Sequence, residues 1–218
     1  MQASLLKQAL QMPDAYIFID RLQAALELEK ATRVHFYEII DENQKMEFIN
    51  GEIYYHSPVR LRHNQITGNI YELLRTYVRK KKLGQVGIEK LLVSLTRNDY
   101  EPDVCFWDSA KAELFQQKQA QFPAPDFVVE VLSESTAEND REIKYQDYES
   151  HGVREYWIVD PEKQILEQYV LDGEFYELKM KAADGIVQCV AITGLQLPVK
   201  ALFDEEVNAQ VLKQLWQE

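Results

Sequence analysis

A strand that should vanish into a protein core opens the stretch "DFVVEVLSESTAENDREIKYQDY", residues 126 to 148, and carries a glutamate at its centre. Alternation puts Val128, Glu130 and Leu132 on one face and Phe127, Val129 and Val131 on the other, so Glu130 shares its face with apolar residues. A lone buried carboxylate is costly unless it is paired, protonated or bound to a metal, so the chain must supply a partner. Two further acids stand at comparable strand positions, Asp103 in "EPDVCFW" and Glu47 beside an Asn-Gly turn. After Glu130, the residues Asp140, Lys144, Asp147 and Tyr148 recur at spacings of three and four, which lets Lys144 face a sheet from a helix. Carboxylates and a lysine converging at one sheet edge suit a hard divalent cation with oxygen ligands. The ammonium beside it would stabilise an attacking hydroxide or a developing phosphate charge. Each residue also has a plainer reading: Asp103 as a turn residue after Pro102, Glu47 as an exposed strand carboxylate, and Lys144 as the surface i,i+4 partner of Asp140.

The elements that must position these groups follow from periodicity. Residues 4 to 40 carry helix-like apolar spacing interrupted at Pro13, and read as an N-terminal helical extension over 1–44. "KMEFINGEIYYHSP" is a hairpin turning at Asn50-Gly51. Over residues 63 to 82, Ile66, Ile70, Leu73, Leu74, Tyr77 and Val78 predict a helix with one face on a sheet. Strands are expected at about 86–95, 103–108 and 126–132, with a polar helix near 109–119. A helix over 140–150 stops at His151-Gly152, and "REYWIVD" resumes as a strand. Further strands occupy 165–171, 174–180 and 186–192, with turns at Asp172-Gly173 and Asp184-Gly185. The pattern is a mixed α/β domain over 45–218 with a central, partly antiparallel sheet.

Composition sets bounds on partners. With 218 residues and 46% hydrophobic composition the chain can bury a substantial core. No apolar run approaches the roughly 20 residues needed to span a bilayer, and the N-terminus has no basic flank leading into a hydrophobic stretch, so a cytoplasmic protein with no membrane partner is expected. Cys105 and Cys189 lie far apart without metal-like spacing, which favours reduced, buried thiols. A formal charge of -12 argues against a nonspecific nucleic-acid coat, although "VRKKK" at 78–82 concentrates positive charge and reads as a solvated helix end. The chain has no Gly-rich phosphate loop, no G-x-S-x-G elbow and no paired-histidine motif.

The ordered set "EFINGEI", His63 opening a helix, "PDVCFW", "PAPDFVVEVLSEST", "DREIKYQDY" and "GVREYWIVDPE", from about residue 46 to 205, resembles the Uma family of restriction endonucleases, within the PD-(D/E)XK nuclease superfamily. The resemblance implies a restriction-endonuclease-like core, a mixed central sheet flanked by helices. It carries Asp103 and Glu130 over as acidic metal ligands, Glu47 as the additional upstream acid, and the Val131 carbonyl as a backbone ligand. The common pattern places a lysine two positions after the glutamate; that position is Leu132 here, and the family resemblance assigns the role to Lys144 on the next helix. His63, Asp140 and Tyr148 resemble family positions of second rank. Their plainer readings are a capping or packing histidine, a helix cap and a packed ring.

The expected function is a divalent-metal-dependent endonuclease acting on DNA, with Mg²⁺ or Mn²⁺ as cofactor. The alternative is a catalytically silent nucleic-acid-binding or regulatory protein-interaction module on the same fold. The N-terminal helices and the late apolar strands suggest a homodimer that addresses both strands of a duplex.

Overall fold

The computed structural model describes residues 2–41 and 43–217. It divides into two compact units, Met1–His56 and Ser57–Glu218. In the first, α1 (Gln2–Leu10) and α2 (Ala15–Ile39) flank a turn at Pro13, whose ring nitrogen cannot donate to a continuous helix. A hairpin follows, β1 (Met46–Ile49) and β2 (Glu52–Tyr55), in register Ile49↔Glu52. Its two turn residues take positive φ, 52° at Asn50 and 90° at Gly51, the backbone that a two-residue turn between right-twisted strands requires. Phe36 and Phe48, both fully buried, stack with centroids 5.8 Å apart in this unit.

The second unit runs α3 (Leu61–Lys81), β3 (Gly84–Ile88), β4 (Leu92–Ser94), β5 (Asp99–Tyr100), β6 (Val104–Asp108), α4 (Ser109–Ala112), β7 (Gln121–Phe122) and β8 (Phe127–Val131). It continues with α5 (Ala137–Arg141), α6 (Ile143–Ser150), β9 (Glu155–Asp160), β10 (Ile165–Asp172), β11 (Phe175–Ala182), β12 (Ile186–Gln188), β13 (Gln196–Pro198), a 3-10 turn at Val199–Leu202 and α7 (Glu205–Gln217). Among the described residues the main sheet has six strands in the order β11-β10-β9-β8-β6-β3. Every pairing in it is antiparallel except β8 with β9, which α5 and α6 join as a crossover. The expected mixed sheet flanked by helices is therefore what the chain forms.

Phe127, Val129 and Val131 join Val104, Phe106 and the buried faces of α3 and α7 in one core. Each large apolar side chain buried there contributes about 1.5–3 kcal/mol. Glu130 is likewise buried but outside this cluster, as strand alternation requires.

Four elements differ from expectation. The strand expected over 86–95 breaks into β3 and β4, because Glu89 and Lys90 take positive φ of 31° and 51°. The helix expected over 109–119 is only α4, capped by the Asp108 side chain on the Lys111 amide. The helix over 140–150 is two helices, broken at Glu142 with φ −116° and ψ −68°. The last strand stops at Gln188 instead of 192.

That stop has a reason in the sheet. Glu155, fully buried in β9, accepts the Val190 and Ala191 amides at 2.6 and 2.8 Å and the Cys189 thiol at 3.1 Å on Oε2. Its Oε1 accepts the Trp157 indole and the Gln168 amide, both at 2.7 Å. Five donors thus satisfy one buried carboxylate and pull residues 189–191 out of any strand ladder. Both cysteines are free and buried, as expected.

Candidate active site

β8 is buried along its whole length, and its central glutamate is met from α6. Lys144 Nζ lies 3.0 Å from Glu130 Oε1, and the two side chains are 2% and 3% exposed. The Tyr148 hydroxyl, one turn further along α6, donates to the same oxygen at 3.2 Å. Lys144 also reaches Asp140 Oδ1 at 3.1 Å. The i,i+4 pair read from the sequence is therefore present, but it is buried, not on the surface. Asp140 is no helix cap, since the N-cap of α5 is Thr136. Tyr148 is fully buried, so it both packs its ring and uses its hydroxyl.

Asp103 immediately precedes β6 and is buried. The register Val104↔Val129 brings it to the end of β8 beside Glu130. There the Val131 amide donates to Asp103 Oδ2 at 2.9 Å, and His63 Nε2 lies 3.2 Å from the same oxygen. His63, in the first turn of α3, is itself buried and sets Nδ1 3.5 Å from the Thr67 hydroxyl. Sequence-selected Asp103, Glu130, Val131, Lys144, His63, Asp140 and Tyr148 thus gather at one end of β8.

Glu47 belongs to the N-terminal unit. It is buried, which overturns the plain reading of an exposed strand carboxylate, and His56 Nε2 stands 3.1 Å from its Oε2.

A second layer escaped the sequence reading. The Tyr100 ring lies 5.6 Å from the Lys144 ammonium and packs edge-on against Tyr148 at 5.4 Å. Its hydroxyl donates to Asp147 Oδ2 at 2.7 Å, where Asn98 also donates at 2.7 Å. Burial, and then the Asp147 charge, push the Tyr100 phenol far above its ordinary range. On the other side of Asp147, His151 Nδ1 stands 3.0 Å from Oδ1, and the Thr96 amide donates to Nε2 at 3.2 Å. A backbone N–H can only donate, so Nε2 carries the lone pair and Nδ1 the proton. The i,i+4 spacing of Asp147 and His151 was the available signal; nothing in the local sequence marks Tyr100 as their partner.

The chemistry of the donor set fits a small hard dication. Asp103, Glu130 and the Val131 carbonyl supply oxygen only, and Mg²⁺ takes one or two carboxylates while keeping several waters. Among the described residues no three His, Cys, Asp or Glu side chains form a group that could hold a metal ion. Burial, and then Glu130, raise the Cys105 thiol well above its ordinary range, which leaves it neutral and without a ligand's thiolate.

No curated protein matches the chain at sequence level. Among solved structures it is similar to the "putative nuclease belonging to DUF820 from Anabaena variabilis ATCC 29413", with a TM-score of 0.65 and 18% identity, over 81% of this chain and 96% of that one. At that identity the likeness establishes the fold. Residues 33–200 match the family described as "Uma2: Putative restriction endonuclease", and because the match spans well over half of the sequence, the chain belongs to that nuclease family.

Proposed function

We propose that the protein is an endonuclease that hydrolyses phosphodiester bonds in DNA, dependent on Mg²⁺ or Mn²⁺ held by Asp103, Glu130 and the Val131 carbonyl. The observations that support this reading are the 2.9 Å bond from the Val131 amide to Asp103 and, on the residue before Val131, the 3.0 Å approach of Lys144 to Glu130. Glu47 enters the ligand set through the family resemblance alone. When bound, such an ion polarises the scissile phosphate and lowers the pKa of a bound water. His63 fixes the Asp103 carboxylate, and Tyr148 fixes Glu130. Lys144 supplies an ammonium where negative charge accumulates on phosphorus oxygens. The net reaction breaks one P–O ester bond, places the water's hydroxyl on phosphorus and its remaining proton on the leaving alcohol. Cleavage of supercoiled plasmid, linear duplex, single-stranded DNA and RNA at low salt tests it, with wild type against Asp103→Ala, Glu130→Ala and Lys144→Ala. Loss of about 10²–10³ in rate is expected in each variant.

One observation favours the silent module. The ammonium of Lys144 already compensates Glu130 and Asp140, so the buried charges have a structural partner without any metal. Wild type that takes up metal yet cleaves none of the four substrates would establish that reading.

The proposal includes a homodimer acting in the cytoplasm. Tyr16, Ile17, Phe18 and Leu22 of α2 and Leu5, Leu6 and Leu10 of α1 are exposed, an apolar surface that a second copy could cover. The two free, buried cysteines fit a reducing compartment, and among the described residues no helix is long and apolar enough to cross a membrane. A light-scattering series showing only monomer would remove the dimer.

A further inference from the structure

Away from the Asp103–Glu130 site, the segment Arg60–Lys82 holds seven Lys and Arg against one acid, Glu72, in a chain of net charge -12. The positive charge is divided into two parts. Arg60 and Arg62, at the start of α3, are matched by Glu134 at 3.0 Å and Glu162 at 3.6 Å. Arg75 and Arg79, further along, have no carboxylate within 4.0 Å among the described residues, and both are exposed. They line a groove between α3 and the end of α7, together with Tyr71, Glu72, Lys80 and Trp216.

This groove is built, not a ragged helix end. Lys80 Nζ donates to the Leu215 and Trp216 carbonyls at 3.0 and 2.8 Å, so it caps α7 and holds the Trp216 backbone against α3. The solvated-end reading of "VRKKK" therefore fails for Lys80. The Arg75 guanidinium lies 5.5 Å from the Tyr71 ring centroid. Trp216 is 65% exposed, whereas Trp107 and Trp157 are fully buried. An exposed indole beside two guanidinium groups that have no carboxylate within 4.0 Å among the described residues has the composition of a surface for a polyanion that also presents flat aromatic faces.

We propose that this groove is an accessory surface for single-stranded nucleic acid, with phosphates on Arg75 and Arg79 and a base stacked on Trp216. A single strand is favoured over a duplex because only unstacked bases offer their faces to an indole. The helix dipole accounts for cations in the last turn of α3, but not for Arg75 further back or for the aromatic groups. The position of the groove also matters. Arg79 lies sixteen residues beyond His63 on the same helix, about 24 Å at 1.5 Å per residue. The groove would thus hold a strand about 24 Å from the Asp103 end of α3. In this role it extends the proposed nuclease reading, because it grips the substrate's displaced or overhanging strand.

Fluorescence titration with a 20-nucleotide oligo-dT in EDTA tests the surface without any cleavage, and the buried positions of Trp107 and Trp157 make Trp216 the reporter. The expected result is saturable quenching that Trp216→Phe abolishes. Arg75→Glu/Arg79→Glu should weaken binding at least about tenfold, and should reduce the slope of log K against log salt by about 1.4, from two lost phosphate contacts at about 0.7 each. Arg75→Gln/Arg79→Gln, checked by circular dichroism, separates charge loss from misfolding and should weaken binding in the same direction. Unchanged binding in both double variants would overturn the proposal, as would equal quenching by a blunt duplex of the same length or by polyglutamate. Failure here with metal-dependent cleavage intact leaves the nuclease reading standing; binding by a Glu130→Ala variant that cannot cleave supports the groove independently of that reading.

Discussion

Lys144 and Glu130 meet at 3.0 Å with almost no exposed surface on either, and the same ammonium reaches Asp140. One buried cation thus balances two buried carboxylates, and removing it leaves both without their counter-charge. The cost should exceed that of a surface i,i+4 pair, about 0.3–0.5 kcal/mol, by several-fold. We expect Lys144→Ala and Lys144→Met each to lose about 3–5 kcal/mol in urea unfolding at neutral pH. A loss under about 1 kcal/mol would show that the pair is solvated in solution.

On the proposed assignment, metal uptake should depend on both Asp103 and Glu130. In calorimetric titrations with Mg²⁺ and Mn²⁺, Asp103→Ala and Glu130→Ala are each expected to lose most of the wild-type affinity. Unchanged affinity in both variants would remove the ligand assignment. Adding Glu47→Ala to the series shows whether the third acid belongs to the set.

Stability should fall in acid through one identifiable carboxylate. Burial alone would raise Glu167, but hydrogen bonds from Arg141, Tyr169 and Lys181 outweigh it and take the carboxyl from its ordinary 4.5 to about 2. The folded value is the lower one, so the stabilisation is fully present above about 4.5 and is lost as pH falls towards about 2. Urea midpoints of wild type and Glu167→Gln should therefore differ near neutrality and converge across that window. A constant difference would place the acid sensitivity elsewhere.

Glu155→Gln should be costly although it is nearly isosteric. The amide it introduces turns a donor towards some of the five donors that now converge on the carboxylate. Charged hydrogen bonds contribute about 1.5–3 kcal/mol each, so a loss of about 3 kcal/mol or more is expected in thermal or urea unfolding.

The parts that were legible in sequence are those with a strong local cause. The α3 face followed from apolar spacing, the β1–β2 turn from Asn50-Gly51, and the buried position of Glu130 from its place between Val129 and Val131. Breaks made by ordinary residues stayed hidden: Glu89 and Lys90 adopt positive φ without glycine's freedom, and Glu142 ends a helix while having a helical propensity. The Tyr100–Asp147 contact stayed hidden for a different reason. Its partners are 47 residues apart, and each has a satisfactory local explanation without the other.

The lone parallel pairing in the main sheet has a kinetic consequence. The strands β9, β10 and β11 are successive antiparallel neighbours, and each turn closes a short loop. Pairing β8 with β9 instead requires α5 and α6 to be laid across the sheet first, with the larger loop-closure entropy this implies. The meander should therefore be the earlier structure on the folding pathway and β8 a late arrival. Conservative substitutions at Leu166 or Ile158 should slow refolding, while Val128→Ala should mainly speed unfolding. Since Glu130 rides on β8, its contacts with Lys144 and Tyr148 would be among the last things the chain completes.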